Sequence, residues 1–139
     1  MGPTGPAMIF LSADDVIAIN AYMLRYGGLS TGVDNVANRD SLNYLVEAVP
    51  GVFFGEELHK GLHRKAAAYA YYIICDHIFH DGNKRTGMEA AFAFLRFNGT
   101  PVVAVLPEEV VRMALDVANG TATIDDLAAW LEAACRPGK

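Results

Sequence analysis

The chain has 139 residues, the length of a single domain with room for a real core. At 53% hydrophobic residues and a mean hydropathy of +0.21 it is too apolar for intrinsic disorder. A formal charge of −5 and a pI near 5.2 argue against direct nucleic-acid binding by a basic surface. The longest apolar run, residues 66–75, is too short to span a membrane, so no membrane association is expected. Residues 1–6 lack the basic start and apolar centre of a signal peptide. Residues 1–7 read as an extension or tag remnant, 8–135 as the domain and 136–139 as a tail. Cys75 and Cys135 lie far apart and in no metal-binding spacing, which points to a reduced, cytoplasmic protein.

Taken in order, residues 8–11 are an apolar lead-in. Ser12 caps a first helix, with Asp15 closing the cap and Val16, Ile17, Ile19, Tyr22, Met23 and Leu24 as its apolar side. Gly27-Gly28 ends it. Residues 29–39, punctuated by glycine and asparagine, read as a loop and a candidate target-docking flap. A second helix opens at Asp40 or Ser41 and closes at Pro50-Gly51, followed by the short apolar connection Val52-Phe53-Phe54. A long helix is expected from Glu56 to Cys75, amphipathic at first and apolar all round later. After a polar turn, another helix covers residues 83–98 and stops at Gly99. Residues 100–106 are β-branched and extended. Pro107 suits the first turn of a helix ended by Asn119-Gly120. Thr123 caps the last helix with Asp126, and Leu127, Trp130 and Leu131 face inward. The expectation is one all-α domain of about six helices, its active loop set between the two central ones.

That loop, His77-Ile78-Phe79-His80-Asp81-Gly82-Asn83-Lys84-Arg85-Thr86, carries the chemistry. Gly82-Asn83 lets the backbone turn tightly where a helix begins, so unpaired N–H groups meet the positive end of the helix dipole. Lys84 and Arg85 add two cations, and Asp81 offers a hard oxygen for the Mg²⁺ that accompanies a nucleotide. His77 is a candidate general base for an attacking hydroxyl. Among the remaining candidates, His59 and His63 have metal spacing but no acid or cysteine placed with them, and surface positions are expected. His80 is expected to be exposed, Cys75 buried, and Trp130 with the phenylalanines of residues 92–97 part of the core. Arg39 is a loop cation that either reaches a nucleotide or target or simply lies exposed.

The motif His77-x-Phe79-x-Asp81-Gly82-Asn83-Lys84-Arg85-Thr86 resembles the signature of the Fic superfamily in the variant carried by Doc (death-on-curing) toxins. The flanks agree: Arg25-Tyr26-Gly27-Gly28-Leu29, residues 92–99, Asn119-Gly120 and Asp125-Asp126-Leu127. The resemblance implies a Fic-fold helical domain. Members that transfer AMP carry glycine in place of Lys84 and arginine in place of Met88. The lysine implies a protein kinase that binds ATP reversed and hands its γ-phosphoryl to a serine or threonine. On that likeness His77 is the base, Asp81 holds Mg²⁺ or orients the nucleophile, and Gly82, Asn83, Lys84, Arg85 and Thr86 receive the nucleotide. Phe79 anchors the motif. The implied target is a translation factor such as EF-Tu, and the implied partner a small antitoxin whose disordered tail folds over the site. No internal inhibitory (S/T)xxxE(G/N) segment is present. Two rival activities remain: AMP or nucleotide transfer by the same fold, and a metal phosphohydrolase of the HD type built on His59, His80-Asp81 and Asp116.

Overall fold

The computed structural model describes residues 7–26 and 35–136. Among them are six helices: α1 (Ala13–Tyr26), α2 (Arg39–Ala48), α3 (Leu62–Cys75), α4 (Asn83–Phe97), α5 (Pro107–Ala118) and α6 (Ile124–Ala134). One small antiparallel hairpin, β1 (Val52–Phe53) and β2 (Glu56–Glu57), separates α2 from α3. The reading of one mostly α-helical domain of about six helices therefore holds. The Gly27-Gly28 stop and most of the candidate flap lie outside the described residues, as do the first six and last three.

Local chemistry sets most boundaries. Ser12 and Asp15 exchange hydrogen bonds across the start of α1, Asp15 N–H to Ser12 Oγ at 3.1 Å and Ser12 N–H to Asp15 Oδ2 at 2.8 Å. Thr123 and Asp126 do the same for α6 at 3.1 and 2.9 Å. Pro107 occupies the first turn of α5, where its missing N–H costs nothing. Asn38 caps α2, which starts at Arg39 where Asp40 or Ser41 was the expected opening.

α3 is the axis, and α4, α5, α6 and α2 all pack on it. Ala66, Ala67, Ala68, Ala70 and Ile73 are fully buried, so this helix has no solvent face through its middle. Small residues on α3 let α4 lie very close. A Cβ added to Gly87 would stand 2.8 Å from Ile74 Cγ1 and 3.0 Å from the Ala70 carbonyl. This contact fixes how the end of α3 and the start of α4 face each other, and so fixes the loop between them.

The structure corrects the expectation of a helix from Glu56. Residues 52–57 form the hairpin, turned by Phe54 (φ +52°) and Gly55 (φ +79°), and α3 begins only at Leu62. Gly61, at φ 87° and ψ 161°, sits in a region essentially open to glycine alone and interrupts any helix there. Lys65 explains why the hairpin stays attached: its buried ammonium donates to the Glu57 carboxylate and the His59 carbonyl. His59 is accordingly not a surface residue. It is 4% exposed, with Nε2 3.0 Å from the Tyr72 hydroxyl, while His63 is half-buried. Two smaller expectations also change: Phe97 is about half exposed while Phe94 is buried, and Cys75 is half-buried against the Val117 carbonyl.

Candidate active site

α3 ends when His77 enters the left-handed region at φ +49°, an unusual conformation for a residue with a side chain. The chain leaves the helix axis at once, and the imidazole is left in solvent beside the helix end. Ile78 and Phe79 then plunge inward, at 0 and 1% exposure. Their backbone is tied to residues 35–38, which lead into α2. Ala37 and Asn38 N–H groups donate to the Ile78 carbonyl at 2.8 and 3.1 Å, and His80 N–H donates to the Asn35 carbonyl at 2.9 Å. Val36 and Phe79 form the bridge between them.

Asn83 closes the loop from the other side. Phe79 N–H donates to its Oδ1 at 2.9 Å, and its Nδ2 donates to the Phe79 carbonyl at 2.7 Å. Gly82, in left-handed conformation at φ 82°, ψ 19°, is the N-cap of α4 and offers no side-chain oxygen to the helix. The first-turn N–H groups of Asn83, Lys84 and Arg85 thus have no helical acceptor, and α4 carries no acid in that turn. The Lys84, Arg85, Asp81 and His77 side chains are all exposed around this end. Burial raises the neighbouring Asp76 carboxyl above its ordinary value, while its electrostatic interaction with His77 acts in the opposite direction.

The sequence candidates therefore divide. His77, Asp81, Lys84 and Arg85 are all solvent-accessible along the stretch from the end of α3 to the first turn of α4, and His80 is exposed as expected. Phe79 is a buried anchor. Thr86 departs from the expectation of a nucleotide contact: it is fully buried, and its hydroxyl accepts from Asn20 Nδ2 at 3.0 Å. The Asn83 side chain is committed to Phe79, so its backbone N–H is the group left to face an anion. Arg39 is exposed in the first turn of α2.

Sequence reading missed Asn20 and Asn35. Asn20 is 2% exposed and donates to the Asp81 carbonyl at 3.1 Å; Asn35 donates to the same carbonyl at 3.0 Å and to Asn20 Oδ1 at 2.9 Å. A signal for Asn20 existed, because it lies four residues from both Val16 and Leu24 on the apolar face of α1. Asn35 left none.

Beside the turn lies a cavity of about 350 Å³. Lys84, Arg85 and Glu89 supply its polar lining, with Met23, Met88 and Phe92 among the apolar residues. The rival hydrolase site is not assembled. His59 precedes α3 and His80-Asp81 follows it, so a helix of about 20 Å separates them. Among the described residues no group of three or more His, Cys, Asp or Glu could hold a metal.

Against known proteins, residues 10–95 match the model of the Fic/DOC family. The chain is 30% identical over 122 residues to "Protein kinase doc" of Escherichia phage P1, covering 87% of this chain and 91% of that protein. It is also 30% identical over 116 residues to "Toxin Doc" of Mycolicibacterium smegmatis, covering 84% and 82%.

Proposed function

The chain belongs to the Fic/Doc family, and we propose that it is a Doc-like toxin transferring the γ-phosphoryl of ATP to a serine or threonine of a protein target. The observation that carries this reading is an exposed His77 at one end of the loop and, at its other end, the open N-terminus of α4, where Lys84 and Arg85 stand beside unpaired N–H groups. Lys84 and Met88 replace the glycine and arginine that the resemblance associates with AMP transfer. Met88 is buried at 2% exposure and supplies no charge to grip phosphates.

In this mechanism ATP enters as its Mg²⁺ complex, with its γ-phosphoryl at the turn. Gly82, Asn83, Lys84 and Arg85 surround the phosphates, and Asp81 would help hold Mg²⁺, which would neutralise phosphate charge. The target hydroxyl oxygen forms a bond to the γ-phosphorus while its proton passes to His77. The bond from that phosphorus to the β,γ-bridging oxygen breaks, and ADP leaves. Such a site works by positioning and by neutralising charge rather than by covalent participation. The target is a translation factor such as EF-Tu, in the cytoplasm. A small antitoxin restrains the enzyme by laying an apolar segment of its tail into the cavity beside Lys84 and Arg85.

Incubation of the protein and candidate target with γ- or α-labelled ATP tests this. Label from the γ position alone on the target is expected, and none with His77→Ala. Label from the α position would establish nucleotide transfer instead.

A further inference from the structure

We infer that Asn20 and Asn35 are positioning residues that hold the Asp81–Gly82 peptide in the one orientation that turns the Gly82 N–H toward the bound phosphate. The inference rests on the anion-binding reading of the turn and adds a donor to it.

The argument begins with the Asp81 carbonyl. It accepts two side-chain amides, Asn20 Nδ2 at 3.1 Å and Asn35 Nδ2 at 3.0 Å. Both donors lie on the protein side of the turn, since Asn20 is buried in α1 and Asn35 is bonded to it. A trans peptide is planar, with its C=O and N–H pointing in opposite directions. Two hydrogen bonds that draw the Asp81 oxygen toward α1 therefore aim the Gly82 N–H away from α1. That N–H has no acceptor among the described residues. It joins the N–H groups of Asn83, Lys84 and Arg85, making a concave set of successive backbone donors of the kind that binds anions.

The rest of the local packing serves the same end. Asn20 also donates to Thr86, one turn into α4, so a single amide registers both sides of the Gly82 cap. A Cβ at Gly82 would stand 3.3 Å from Asn20 Nδ2 and 2.9 Å from Leu24 Cδ2, so the glycine lies directly on α1. Asn35 reaches the carbonyl from the strip that pairs with Ile78 and His80, which links that strip to the donor set.

The test follows the Gly82 amide in ¹⁵N-labelled full-length protein during titration with pyrophosphate and with Mg-ATP. Asn20→Asp has the same size but offers the Asp81 carbonyl only acceptors, and Asn35→Ala removes one donor from a half-exposed site. In the wild type the Gly82 resonance is expected to shift on saturation. Each variant is expected to lose most of that shift while keeping a cooperative melt, with turnover per folded molecule down by about 10²-fold or more for Asn20→Asp, the scale for losing one oxyanion donor. Wild-type shifts and turnover in both variants would overturn the inference, as would a wild-type Gly82 amide indifferent to both anions. If Asn20→Asp does not fold, Asn35→Ala decides. A Gly82 response that the variants abolish, in a protein that moves no γ-label, would sink the kinase reading and leave this inference standing.

Discussion

Asn83 grips Phe79 by both edges of its side-chain amide, one bond accepted at 2.9 Å and one donated at 2.7 Å. The residue is thus the clasp of the loop between α3 and α4, joining the buried end of the motif to the first turn of α4. Asn83→Ala is expected to strand the Phe79 N–H and carbonyl, at a cost of about 1–3 kcal/mol. Urea unfolding reads the loss, and turnover should fall with it although His77, Lys84 and Arg85 are untouched. An unchanged unfolding midpoint would mean that the clasp does not hold the loop.

His77 is held at φ +49°, which costs a residue with a Cβ about 1–2 kcal/mol. His77→Gly should relieve that strain, offset by about 0.4–1 kcal/mol of added unfolded-chain entropy. The variant is expected to melt at or above the wild-type temperature while losing 10²- to 10⁴-fold in transfer, the usual worth of a general base. A variant that melts markedly lower would assign His77 a structural role instead.

Gly82 combines a left-handed backbone with a crowded floor. Gly82→Ala is expected to cost about 1–2 kcal/mol from backbone conformation, with a further steric part from Leu24, whose Cδ2 lies 2.9 Å from the new methyl. A double-mutant cycle with Leu24→Ala measures that steric part as a favourable coupling. Strict additivity would show that the methyl and Leu24 do not meet.

His59 has its pKa lowered from 6.5, chiefly by burial, with the charges of Arg64 and Lys65 adding to the effect. Its folded form is the neutral imidazole, so the unfolded chain takes up a proton first as pH falls. The stability it contributes is therefore complete above pH 6.5 and drains away below it. Urea midpoints are expected to drop between pH 7.5 and 5.5, and His59→Gln should flatten that drop. At the other end burial pushes the Tyr69 and Tyr72 hydroxyls up to about 12, so stability should decline as pH rises past 10.

Met88 faces the cavity beside Lys84, which leaves room for a longer head group. Lys84→Gly combined with Met88→Arg is expected to move label preference on the target from the γ toward the α position of ATP. Unaltered γ-transfer by the double variant would remove these two residues as the basis of the distinction.

The helix starts at Ser12, Pro107 and Thr123, the turn at Gly82-Asn83 and the family signature around it were all legible in the amino-acid sequence. The helix starts and the turn each depend on groups within three or four residues of one another, where the covalent chain already sets the distance, and the signature is a contiguous run of ten residues. The interval between Glu56 and Leu62 was misread because helical spacing of apolar residues says nothing of Gly61's backbone conformation or of Lys65 reaching back to Glu57. Only the folded chain brought Asn20 and Asn35 to the Asp81 carbonyl, across separations of 61 and 46 residues. Only packing decided that Thr86 turns inward and His59 is buried. Sequence periodicity can mark a face as apolar, but which polar atom that face must satisfy depends on what the other helices place against it.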